Sequence, residues 1–137
     1  MEFIDGPRNV KISKPGGGPL KFQVTRARCI NVEEWSTLDL EVTEEELNTW
    51  LEFEEISKPH GNLPWSSKVR DGRLKIKIDD RTMFFDSNSK LTSEVNLVGA
   101  TVSVLIEIKS VYNFKGYSGL TCRAHQIKVY GSGWMGV

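Results

Sequence analysis

Tyr112, Phe114, Lys115 and Tyr117 fall within one six-residue span, with Gly116 among them and Gly119 just beyond. Three rings and an ammonium on a glycine-punctuated turn suit binding better than bond-breaking. An aromatic side chain under a nucleobase contributes about 1–3 kcal/mol and accepts any base. Further cations sit at alternate positions of strand-like runs: Arg26 and Arg28, then Arg73, Lys75 and Lys77. Lys109 and Arg123 flank the aromatic turn on either side. Alternate residues of a strand share a face, so these runs offer charged rows suited to a phosphodiester backbone. Trp65, between Pro64 and Ser66, is either a further stacking surface or a plug over the core.

Residue types that do catalysis are poorly placed. Gly116-Tyr117-Ser118-Gly119 lacks the final glycine of a G-x-S-x-G nucleophile elbow, and a hairpin tip is the wrong setting for one. His60 and His125 are far apart, and a metal site built from them with Cys29 and Cys122 needs four distant ligands to converge. Asp79-Asp80 and Glu54-Glu55 read as turn and surface pairs. The expectation is no enzyme, no metal and no cofactor.

The net charge of zero conceals a sorting of charge. Glu33 to Glu55 holds ten carboxylates and no Lys or Arg, which leaves eighteen basic residues against eight acidic ones elsewhere. The acidic stretch reads as a solvated helix face, as a region that repels nucleic acid, or as a docking surface for a basic partner. With 137 residues and 39% hydrophobic content, one domain with one core is expected. No apolar run approaches the roughly 20 residues that span a bilayer, and the N-terminus lacks the pattern of a signal peptide. Two cysteines make a disulfide framework unexpected and point to a reducing compartment, the cytoplasm or nucleus of a host cell.

The elements that must position these residues follow from periodicity. Residues 1–19 read as a flexible arm, because Lys14-Pro15-Gly16-Gly17-Gly18-Pro19 holds neither helix nor central strand. Strands are expected over 20–32, 36–42, 73–78 and 82–85, followed by a long C-terminal hairpin over 102–130. In the first strand the alternation puts Arg26 and Arg28 outward and in phase with Phe22 and Val24. Thr43 and Glu46 form a capping box that starts a helix over 43–56, which packs on the sheet through Leu47, Trp50 and Leu51. In the returning arm of the hairpin, Leu120, Cys122 and Ala124 have one parity and Ile127 and Val129 the other. That change of phase predicts a bulge near His125-Gln126. Strands without a βαβ rhythm predict a mainly β fold: a small antiparallel OB-like barrel over 20–130 with one α-helix, and a short tail over 131–137.

The run Gly99-x-x-Val102-x-Val104-x-Ile106, then Val111-Tyr112-x-Phe114-x-Gly116, then Gly119-Leu120 leading to Gln126-Ile127-x-Val129 resembles the last hairpin of OB-fold single-stranded DNA-binding proteins of phages and large DNA viruses. The resemblance covers residues 97–130. It implies a non-enzymatic viral protein that coats exposed strands during replication, recombination or repair, with Tyr112, Phe114, Lys115 and Tyr117 at the ligand-contacting tip. Many such proteins end in an acidic tail, and this chain ends Gly131-Ser132-Gly133-Trp134-Met135-Gly136-Val137.

The expected function is therefore non-specific binding of single-stranded DNA, with RNA as a second ligand. Self-association through the arm or the tail, and contacts with replication or recombination proteins, are the expected partnerships; a membrane is not. The rival reading is a protein-interaction module that docks partners on the acidic segment 33–55.

Overall fold

The computed structural model describes residues 1–7, 9–92 and 96–132. Their strands, in chain order, are β1 (Glu2–Asp5), β2 (Asn9–Ser13), β3 (Leu20–Glu33), β4 (Thr37–Glu41), β5 (Val69–Arg70), β6 (Arg73–Lys77), β7 (Met83–Phe85), β8 (Leu91–Thr92), β9 (Ala100–Phe114) and β10 (Tyr117–Ser132). One α-helix, α1 (Glu44–Ser57), follows β4 in sequence. All ten strands belong to one sheet with the order β5-β6-β4-β3-β9-β10-β7-β8, and β2 joins the far end of β9 and carries β1.

The sheet is open. β5 and β8 end the path without pairing to each other, which overturns the expected OB-like barrel and, with it, the resemblance to OB-fold single-stranded DNA-binding proteins. Two physical reasons are visible. β7 has three residues and β8 two, and β7 runs parallel to β10 rather than antiparallel. Where the chain leaving β6 passes β10, side chains make the connection in place of a backbone ladder. Arg123 donates from Nε and Nη2 to the Asp79 carboxylate at 2.7 and 2.9 Å, and Thr82 Oγ1 donates to the Ala124 carbonyl at 2.7 Å. The bulge foreseen in the hairpin is present, as a break in register between Ala124 and Gln126. It bends a long strand without closing a ring.

Residues 1–19, expected to be a flexible arm, include the antiparallel β1–β2 pair, and Asn9 to Lys11 pair with Ser110 to Tyr112 of β9. At the other end, β10 takes in Gly131 and Ser132; the rest of the expected tail, with Trp134 and Met135, lies outside the described residues.

The capping box forms as its spacing requires. The Glu46 amide donates to Thr43 Oγ1 at 3.1 Å, and the Thr43 amide donates back to Glu46 Oε1 at 3.2 Å. The helix does not pack as its apolar residues suggest. Trp50 is fully buried and Phe53 packs beside it, both edge-on to Phe22 of β3, whereas Leu51 is exposed. Val24, Leu40, Leu74, Ile76, Val104, Ile106 and Ile127 continue the core along the sheet face.

Strand β3 departs from simple alternation. Its register against β9 breaks between Val24 and Ala27, so Phe22, Val24, Ala27 and Cys29 point inward while Arg26 and Arg28 are exposed. The inserted pair is held from outside the strand. The Thr25 amide donates to Glu46 Oε2 at 2.7 Å and the Arg26 amide donates to Ser103 Oγ at 3.1 Å.

Candidate functional site

The β9–β10 hairpin turns on two residues, Lys115 and Gly116, both with positive φ (50° and 88°), as a type I′ turn requires. Phe114 and Tyr117 are therefore a directly opposed cross-strand pair. They are 65% and 56% exposed. Lys115 Nζ lies 5.3 Å from the Phe114 ring centroid. Tyr112, one alternation back, is half-buried and lies across its partner Gly119. A Cβ on Gly119 would meet Tyr112 Oη at 2.7 Å and the Ser66 carbonyl at 2.8 Å, so only glycine fits beneath the ring.

Below this tip, a cleft of about 260 Å³ separates β6 from the hairpin, lined by Lys68, Arg70, Lys75, Lys77 and Tyr112 among others. Among the described residues, no carboxylate lines it. Lys68, Arg70 and Lys77 have no ion-pair partner among the described residues. Lys68 Nζ sits 5.7 Å from the centroid of the Tyr112 ring.

The wall that carries Lys68 and Arg70 is a loop with little secondary structure, and two buried polar residues fix it. Ser118, fully buried, pairs with Trp65 in an isolated parallel bridge. Its amide donates to the Pro64 carbonyl, its carbonyl accepts from Ser66, its hydroxyl oxygen accepts from the Leu63 amide, and the hydroxyl donates to Asn113. Glu54 of α1, 2% exposed, accepts from Trp50 Nε1 at 2.8 Å, Trp65 Nε1 at 3.2 Å and the Lys68 amide at 2.9 Å. Trp65 is thus tied to the protein through its indole N–H and packs against the core.

The residues singled out from sequence divide into groups. Tyr112, Phe114, Lys115 and Tyr117 come together at the tip, with Lys75 and Lys77 on the adjoining cleft wall. The row Arg73, Lys75, Lys77 is not a row of free cations. Lys75 is buried, 3.0 Å from Asp39 and 3.2 Å from Glu33, and Arg73 Nε donates to Asp39 at 2.8 Å. Burial pushes the Asp39 carboxyl upward, but hydrogen bonds and charge from Arg73 and Lys75 outweigh it and hold the group below the usual carboxylate range. Arg123 is buried and engaged with Asp79. Lys109 lies 3.6 Å from Glu107 and lines a different groove, beside β2. Arg26 sits by Ser103, eleven residues from Phe114 along β9, about 36 Å at strand rise. Arg28 lies beyond it, opposite Thr101 and Glu41, so these two arginines belong elsewhere.

Lys68 and Arg70 escaped the sequence reading because their loop has no alternation to place them. Their signal was composition alone, two cations beside Trp65 in a Pro- and Gly-interrupted stretch. The acidic segment is also resolved in part. Glu33, Asp39, Glu46 and Glu54 are partners of the chain's own amides and cations, while Glu44, Glu45 and Glu52 face outward.

Among the described residues, no cluster of three or more His, Cys, Asp or Glu side chains is arranged to hold a metal ion. No described helix is long and apolar enough to cross a membrane. Cys29 and Cys122 are free thiols, each pushed up to about 11 by burial. No protein-family model, curated protein or solved structure is found to match the chain.

Proposed function

We propose that this protein binds single-stranded nucleic acid with little sequence preference. The strand's phosphates lie along the cleft of Lys68, Arg70 and Lys77, and its bases stack on Phe114 and Tyr117. The observation that carries this reading is the exposed Phe114–Tyr117 pair, two residues along β9 from Tyr112, which lines a cleft with cations and, among the described residues, no carboxylate. Two large rings exposed to water on a tight turn gain nothing from solvation; a planar ligand gives them a use. The cations beside them match the other half of a nucleotide. Guanidinium and ammonium groups that lack an ion-pair partner among the described residues are free to displace the counterions of a phosphodiester chain.

The test is a fluorescence titration of the full chain with oligothymidylate and oligouridylate. Phe114→Ala with Tyr117→Ala is expected to weaken binding about tenfold to a hundredfold, the worth of one to two stacked bases, with no change in melting temperature. Lys68→Ala with Arg70→Ala is expected to weaken it and to flatten its salt dependence. Unchanged affinity in both double variants overturns the proposal. Retention of a basic protein partner that is lost on charge reversal of Glu44, Glu45 and Glu52 would favour the docking-module reading instead.

A further inference from the structure

We propose a second ligand site on the reverse face of the sheet: a groove across β3, β9, β10 and β7 that takes a nucleoside phosphate unit. The site does not depend on the cleft described above. Register sets two rows of residues on the side away from the core. Gln23, Leu105 and Gln126 form one, and Ser103, Lys128 and Phe85 the next. Their neighbours Val24, Val104, Ile127 and Phe84 point into the core. The two adjacent phenylalanines of β7 thus face opposite ways. The groove along these rows measures about 370 Å³ and is lined by Tyr130 as well, a size within the range of small-molecule sites.

Its chemistry is that of a nucleotide receptor. Arg26 Cζ lies 4.2 Å above the Tyr130 ring centroid, and Lys128 Nζ lies 5.3 Å from the same centroid. Stacking on a ring leaves the guanidinium edge open for bidentate contact with phosphate, and among the described residues the hydrogen bond that Arg26 makes is through its backbone amide. Among the described residues, no carboxylate lines the groove. Gln23 and Gln126 each bring an amide that both donates and accepts. Phe85 supplies an apolar ring. A bare anion uses the cations but has no use for the amides and the ring; a nucleoside phosphate uses all three.

The placement of Arg26 is also costly. It has φ +52°, in the left-handed region that β-strand residues avoid. Ser103 Oγ accepts from its amide and lies 3.0 Å from Tyr130 Oη, while Glu46 fixes the preceding amide. Two distant side chains therefore hold this residue in a conformation that glycine would adopt freely, with its guanidinium over Tyr130, one of the residues that line the groove.

The experiment is a ¹H–¹⁵N titration of the full chain with adenosine monophosphate and, separately, with a thymidine tetranucleotide. Saturable shifts at the Gln23 and Gln126 side-chain amides and at Lys128 are expected. Saturation with the mononucleotide alone supports the site with a free nucleotide as its ligand, and saturation with the tetranucleotide, alone or also, supports it with a strand as its ligand. Arg26→Gly should lower affinity at least about tenfold, the loss of charge-assisted hydrogen bonds, and leave the melting temperature equal or higher. Lys68→Ala with Arg70→Ala should leave the titration unchanged, which separates failure of this site from failure of the cleft. No saturation with either ligand at millimolar concentration overturns the proposal. So does inorganic phosphate giving the same shifts at the same concentration, or an Arg26→Gly protein that melts earlier and binds normally.

Discussion

Glu54 gives one carboxylate to three N–H donors from two segments, and it is the contact through which α1 holds the Lys68 wall of the cleft. Substitution by leucine leaves two indole N–H groups and one amide without an acceptor in a dry environment. The expected loss is about 3 kcal/mol in urea unfolding, since each buried donor left unpaired costs about 1–3 kcal/mol. The Asp79–Arg123 pair acts through pH. Hydrogen bonds from Arg123 hold the Asp79 carboxyl well below the usual carboxylate range, against the opposing effect of burial. In the unfolded chain an aspartate titrates near about pH 4. The stabilisation is therefore complete above that value, and it is lost as pH falls toward the depressed folded value. Thermal melts of the native protein should show stability declining below about pH 4. Asp79→Asn should start lower at neutral pH and show a flatter acid limb. A parallel decline in both proteins would place the acid sensitivity elsewhere.

The β9–β10 hairpin carries the stacking pair on the shortest turn available, and that turn is not the most stable one for its geometry. Asn-Gly is the pair most favoured where both central residues need positive φ, and this chain has Lys115-Gly116. Lys115→Asn should raise stability by about 0.5 kcal/mol and weaken strand binding. Gly116→Ala, at φ +88°, should cost about 1 kcal/mol. Calorimetry beside an oligonucleotide titration separates the two effects. Much of this element was legible in the sequence. Val102, Val104, Ile106 and Ile108 alternate, the change of parity marks the bulge at His125, and the capping box marks the start of α1. All three are local signals. The bulge at Thr25–Arg26 was not legible, because its acceptors, Glu46 and Ser103, come from elsewhere in the chain. Simple alternation therefore placed Arg26 and Arg28 in phase with Phe22 and Val24. Lys75 was misread for a similar reason: an outward position in the pattern became buried once Asp39 and Glu33 arrived from β3 and β4.

For the whole molecule, the sorting of charge along the chain is partly undone by folding. Asp39 and Glu33 of the acidic segment neutralise Lys75 and Arg73 of the basic remainder, and at the cleft and tip the cations without an ion-pair partner among the described residues are Lys68, Arg70, Lys77 and Lys115. With Lys68, Arg70, Lys77 and Lys115 each neutralising one phosphate, the affinity for a single strand should fall with salt at a log–log slope of about −2.8, from roughly −0.7 per phosphate. A slope near zero in titrations across the salt range would remove the electrostatic half of the mechanism. Closure of the sheet lay beyond the sequence for a comparable reason. Alternation reports which way a residue faces, whereas a ring depends on whether the first and last strands are long enough to meet, and here the two terminal strands have two residues each.

Cys29 sits in the middle of β3, fully buried, with its thiol pushed up to about 11 by burial and by the nearby Asp39 charge. Near neutral pH almost none of it is present as thiolate, and an alkylating reagent has no path to the sulfur until β3 parts from β4 or β9. The rate at which it is capped therefore times the rare separation of the central strands, so the chain carries its own clock for opening without any added label.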